Sequence, residues 1–183
     1  MAGDGPFLWL SETGPPSGFR HLPPGGMCLS AFLFVRRGGS ILLGKYREHP
    51  AWDTLAGLDP ERVRTHGQGW TIPASQLKYG EDPRAAAKRI AEDILQMRGL
   101  QFSEPRVETD LYEPKRFPGQ MHYDVWFLVD ARVPAGTKVD LPSWYAELTW
   151  HDPRDLPAAE WARGHEDVAA RWLHARNESA QGG

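Results

Sequence analysis

Residues 121–133 constrain the fold more than any other part of the chain. Their apolar side chains alternate with period two, placing Tyr123, Val125, Phe127 and Val129 on one face and Trp126 and Leu128 on the other. A chain with such a strand builds around a sheet, and the other apolar segments read as its neighbours. Residues 27–35 and 41–45 flank Arg36-Arg37-Gly38-Gly39-Ser40, two β runs around a Gly-Gly turn, and predict a hairpin. Trp70-Thr71-Ile72-Pro73 predicts a short strand ended by proline, residues 106–112 alternate weakly, and residues 145–150 predict another short strand. Asp82 suits a helix N-cap and Pro83 the first helical position, so a helix is expected to run to about Met97 and stop at Gly99. A second, amphipathic helix is expected over 157–176, built on Trp161, Val168, Trp172 and Leu173. Residues 46–69 read as a long polar loop with room for one short helix. The order β-β-β-α-β-β-β-α predicts a mixed sheet with helices packed on it.

A length of 183 residues suits one domain, and 40% apolar with 25% charged residues excludes wholesale disorder. Five prolines and six glycines in the first 26 residues predict an irregular arm over 1–26, ahead of a domain at 27–176 and a disordered tail at 177–183. No targeting or membrane segment is apparent, so the expected location is cytoplasmic. The net charge of −3 supplies no general attraction for nucleic acid or anionic membrane. The single cysteine, Cys28, excludes an internal disulfide and a Cys-based zinc cluster, and its apolar context predicts a buried, inert thiol. The seven histidines form no helical zinc motif, and His122 reads as structural or interfacial. Gly38-Gly39 lacks the lysine of a P-loop, and no serine has the context of a hydrolase elbow.

Residues 70–83, Trp-Thr-Ile-Pro-Ala-Ser-Gln-Leu-Lys-Tyr-Gly-Glu-Asp-Pro, followed by residues 85–94, Ala-Ala-Ala-Lys-Arg-Ile-Ala-Glu-Asp-Ile, resemble a Nudix box. The family pattern is G-x5-E-x7-R-E-U-x-E-E-x-G-U, with U apolar, and the spacing from Pro73 to Gly80-Glu81 matches its loop. The surrounding strand order extends the resemblance over about residues 27–176. It implies an α/β fold, a Nudix-like α/β/α sandwich with a mixed β-sheet. In that family the box helix carries several glutamates, which share Mg2+ or Mn2+ and so neutralise a bound diphosphate and activate water.

The box here departs from the pattern. Ser75 falls on the first glycine, and Lys78 stands where many relatives carry an acid. Without a gap, the family arginine is Arg89, and Ile90, Asp93 and Ile94 occupy the acidic positions. Deleting one residue after Glu81 instead puts Lys88 on the arginine, Arg89 on the first glutamate and Glu92-Asp93 on the final acidic pair. At about 100° per residue, Ala86, Ala87, Ile90, Ile94 and Met97 form one apolar stripe and Lys88, Arg89, Glu92 and Asp93 cover much of the opposite side. That separation favours the gapped register. The same four charges also pair as Lys88–Glu92 and Arg89–Asp93 at i,i+4 on a solvated face, and Glu81 equally suits a helix N-terminus.

The resemblance implies a divergent Nudix-type hydrolase acting on a nucleoside diphosphate linked to another moiety. In it Glu81, Glu92 and Asp93 gather Mg2+ or Mn2+, Arg89 orients a carboxylate or phosphate, and the loop bearing Trp52 and Arg47 chooses the substrate. The alternative is a Nudix-like module without hydrolysis that binds a nucleotide, RNA or a protein partner. Trp52 reads equally as a loop anchor, while Trp126, Trp161 and Trp172 read as core. Lys115-Arg116 reads as solvated surface. A small nucleotide-type ligand is the expected partner, and an exposed aromatic edge leaves a homodimer open.

Overall fold

The computed structural model of the chain describes residues 8–10, 24–114, 118–134 and 136–181, so most of the expected arm, together with Lys115 and Arg116, lies outside the described residues. Its centre is a parallel pair, β2 (Gly26–Arg37) and β7 (His122–Arg132), in register from Met27↔Tyr123 to Arg36↔Arg132. On one side of β2 comes β3 (Ser40–Tyr46), and beyond it β8 (Tyr145–His151). On the far side of β7 lie β5 (Gln101–Phe102) and β6 (Arg106–Tyr112). The short strands β1 (Leu8–Leu10) and β4 (Ala74–Gln76) pair with β2. Every pairing except β2 with β7 is antiparallel, so the sheet is mixed.

The pleat of β2 divides the core in two. Ala31, Leu33 and Val35 face a cluster that includes Ile90, Ile94 and Leu95, whereas Phe32 and Phe34 face one with Trp126, Leu128 and Trp172. The first cluster is covered by α1 (Ala51–Ala56), α2 (Pro60–His66) and α3 (Pro83–Arg89), and the second by α4 (His165–Gln181). Phe34 stacks on Trp172 with centroids 4.6 Å apart. The result is an α/β/α sandwich.

Three local differences from the sequence reading have physical causes. The loop at 46–69 holds two helices, too short to show a period: α2 is capped by Asp59, which accepts the Arg62 N–H, and α1 ends at left-handed Gly57. The box strand is Ala74–Gln76, one step beyond the expected 70–73, where Trp70 and Thr71 make only isolated bridges. The last helix begins at His165 because Arg163 and Gly164 are both left-handed, with φ of 61° and 72°, and it continues to Gln181 through the stretch read as tail. No described helix is long and apolar enough to cross a membrane.

Candidate functional site

The box is assembled around one ion pair. Asp82 caps α3 by accepting the N–H groups of Arg84 and Ala85 at 2.9 and 3.2 Å, with Pro83 at the first turn. Gly80, at φ 78°, turns the chain ahead of that cap, where the Lys78 N–H reaches Glu81 Oε2 at 2.8 Å. From the last turn of α3, Arg89 returns a two-pronged fork to the same carboxylate: Nε donates to Oε1 at 2.7 Å and Nη2 to Oε2 at 2.8 Å. Its remaining donors go to Ser75 Oγ at 3.1 Å and the Gln76 carbonyl at 3.0 Å. Arg89 thus ties β4, the turn and the helix together, with both side chains of the pair under 15% exposed. Burial raises the Glu81 pKa, but the Arg89 and Lys78 hydrogen bonds outweigh it and hold the carboxyl below its ordinary range.

Beyond Arg89 the helix continues as a π-helical turn, Ile90–Ile94. Ile90 and Ile94 are completely buried against Leu33 and Val35, while Glu92 and Asp93 are exposed. The turn ends at Gln96, left-handed at φ 55°, where the Met97 N–H reaches back to the Ala91 carbonyl at 2.8 Å. Lys88 Nζ lies 3.9 Å from Glu92 Oε1, as the i,i+4 reading expected. The expected Arg89–Asp93 pair does not form, because the whole Arg89 fork is committed to Glu81, Ser75 and Gln76.

Trp52 is an anchor with no exposed surface. Its Nε1 donates to the carbonyls of Arg47 and Trp144 at 3.0 and 3.1 Å, and its ring packs on Tyr46 at 4.2 Å and Tyr145 at 5.1 Å. No ring face remains for a ligand, which corrects the substrate-selecting role expected of it. Arg47 is exposed, and its main chain serves this anchor. His49 Nδ1 accepts the Ala51 N–H at 3.1 Å and so steadies the start of α1.

Two solved structures share this architecture. A Nudix hydrolase from M. smegmatis, RenU, matches with 21% identity over 98% of this chain and 96% of its own, at a TM-score of 0.51. A Nudix hydrolase from Nitrosomonas europaea matches with 14% identity over 81% of this chain and 88% of its own, at a TM-score of 0.50. The chain has the Nudix fold. No family model matches its sequence, and no curated protein does.

The two box registers place different residues at the conformations seen here. In the ungapped register the pattern's E and R are Glu81 and Arg89, the two residues that the structure joins, and the pattern's last G is Gln96, which adopts the left-handed conformation that glycine tolerates best. The gapped register puts that G on Leu95, a right-handed residue with φ −94°. The apolar stripe was read correctly. Ile90 and Ile94 in that stripe have no exposed surface.

The remaining carboxylates do not fit a metal cage. Glu81 is held by Arg89, Glu92 faces Lys88, and Glu81, Glu92 and Asp93 are not gathered at metal-sharing distance. Glu92 and Asp93 are adjacent and exposed on the π-helical turn that follows Arg89. Beside Arg89, a cavity of about 30 Å³ lined by Leu55, Ser75, Gln76 and Lys78 has room for about one water and none for a nucleotide. Among the described residues, the one group of three potential metal ligands is Cys28, His122 and Asp124, on the opposite face of the sheet. The sequence offered no spacing motif for it, because its members lie on two strands almost a hundred residues apart.

Proposed function

We propose that the chain is a divergent Nudix-type hydrolase acting on a nucleoside diphosphate linked to another moiety, with an acidic site reduced to Asp93 and the adjacent exposed Glu92. The observation that carries this reading is the retained box frame, in which the Glu81–Arg89 latch and the left-handed Gln96 present those two carboxylates to solvent. Mg2+ or Mn2+ held between them and a ligand's diphosphate would neutralise the phosphates and activate water. Glu81 and Arg89 are positioning residues here, since both spend their polar atoms on each other and on β4. The enzyme works in this reading on small soluble ligands, with neither nucleic acid nor membrane as partner.

A second reading, a Nudix-like module that binds a nucleotide-type ligand without turnover, is favoured by one observation. Ile90 and Ile94 fill two of the three acidic positions and have no exposed surface. The two readings separate in one experiment. The protein is incubated with nucleotide-sugars, dinucleoside polyphosphates and ADP-ribose in the presence of Mn2+. The hydrolase reading expects slow turnover that Asp93→Ala abolishes and Glu92→Ala weakens, with the circular dichroism unchanged. Ligand binding without turnover, equally present in both variants, supports the second reading.

A further inference from the structure

Cys28 and Asp124 are direct partners in the parallel register of β2 and β7, and His122 lies two residues before Asp124, so all three side chains leave the sheet on one face. That face is the one covered by α4, since Cys28 alternates with Phe32 and Phe34, whereas the box helix covers the other. The thiol, a ring nitrogen and a carboxylate oxygen all lie within 4.8 Å of one another, and each residue is under 9% exposed. Asp124 Oδ1 meets both the Cys28 thiol and His122 Nε2, the latter at 3.1 Å.

The hydrogen bond on the other side of the histidine ring fixes what this cluster needs. His122 Nδ1 lies 2.8 Å from the Gly25 carbonyl, an oxygen that only accepts, so Nδ1 carries the ring proton. In the neutral ring Nε2 is then a lone pair aimed at a carboxylate: two acceptors face to face in a site nearly without water. A cation between or upon them relieves that contact, either a second proton on the ring or a metal ion, while the Arg62 charge of α2 acts on the same ring. Thiolate, imidazole and carboxylate together are ligands of Zn2+ and similar borderline ions, and suit Mg2+ or Mn2+ poorly. A carbonyl fixing the tautomer of a ligating histidine is also how such sites are supported from behind. With a thiolate and a carboxylate, a divalent ion leaves the buried group with no net charge.

We propose that Cys28, His122 and Asp124 form a binding site for a Zn2+-class divalent ion, separate from the Nudix box. Binding joins the metal to Sγ, Nε2 and a carboxylate oxygen, and the thiol proton, together with the Nε2 proton of the metal-free imidazolium, passes to solvent. Burial, reinforced by Asp124, pushes the pKa of the metal-free Cys28 thiol up, so that the thiol stays protonated and is no nucleophile. Tyr112 lies opposite His122 across the strand pair, its ring 5.8 Å from the imidazole, and closes the site on the β6 side.

The test uses the full chain, stripped with chelator and titrated with Co2+ and Zn2+. Co2+ is expected to bind at one equivalent with the thiolate-to-metal charge-transfer absorption of a sulfur ligand. Entry of either ion into the stripped chain should release at least one proton per ion near neutral pH, and Zn2+ should then displace Co2+ with no further proton release. Cys28→Ser is expected to lose the charge-transfer absorption, and His122→Gln to weaken Zn2+ binding at least tenfold, whereas Glu92→Ala with Asp93→Ala leaves both signals intact. A folded, chelator-stripped wild-type chain that shows no charge-transfer absorption overturns the proposal and leaves His122 an imidazolium paired with Asp124. That result needs no variant to fold. Equal absorption in Cys28→Ser, or its loss in the Glu92/Asp93 double variant, overturns it as well.

Discussion

The two faces of the sheet carry opposite kinds of site. On the α3 face, Glu81, Glu92 and Asp93 belong to one short stretch of chain yet are not gathered in space, with Arg89 holding Glu81, Lys88 facing Glu92 and Asp93 left to solvent. On the α4 face, Cys28 lies far along the chain from His122 and Asp124 yet meets Asp124 within hydrogen-bond distance, as His122 does. Proximity along a helix guarantees a shared side only at the right phase, whereas strand pairing brings distant residues to the same spot by register alone.

A carboxylate placed among the buried isoleucines would strain that contrast most. Ile90→Glu places a carboxylate in a site with no exposed surface, and we expect a loss of more than about 4 kcal/mol in urea unfolding, with no gain in Mn2+ affinity. A stable variant that binds Mn2+ more tightly would show that the face had kept its metal geometry. Arg89→Ala comes next, at about 3 kcal/mol, because it strands a largely buried carboxylate; Arg89→Lys should recover only part, having no fork. Trp52→Phe should cost about 2 kcal/mol by giving up two hydrogen bonds and ring contacts. A ligand platform would instead leave stability unchanged and alter binding.

The α4 face offers a titration. His165 is buried, and burial with the Arg163 charge holds its pKa well below the ordinary value, while Nδ1 accepts the Ile72 N–H at 2.9 Å. Below about pH 6.5 the unfolded chain takes up a proton that the folded chain refuses, so stability should fall as pH drops, by about 1 kcal/mol over the first unit. His165→Asn should flatten that slope in unfolding curves recorded between pH 7 and 5. Least of all, Lys88→Ala should change stability by less than about 0.5 kcal/mol, since its pair is exposed. A larger loss would mean that the wet side of the helix carries more than a surface pair.

Much of the sandwich was legible because its signals are local. The two-sided alternation of β7, the Gly-Gly hairpin and the Asp82-Pro83 cap each identify an element without its neighbours. The box could be located on the same grounds, and its apolar stripe is buried as the 3.6-residue period requires. Its register was not legible, since an eight-residue reach from Glu81 to Arg89 and a left-handed glutamine become visible only once the turn has closed. Trp52 illustrates the reverse difficulty: a tryptophan in a polar segment looks free until the carbonyls of Arg47 and Trp144 arrive from two directions.

The most direct measurement is a Mn2+ titration followed by electron paramagnetic resonance on the Cys28→Ser chain, with and without a nucleoside-diphosphate ligand. A box with two solvent-facing carboxylates should leave Mn2+ free until the diphosphate is added, and bind it then in a manner lost in Asp93→Ala. Stoichiometric, tight Mn2+ binding in the absence of any ligand, abolished by Asp93→Ala, would contradict the account and restore a complete metal cage to the helix.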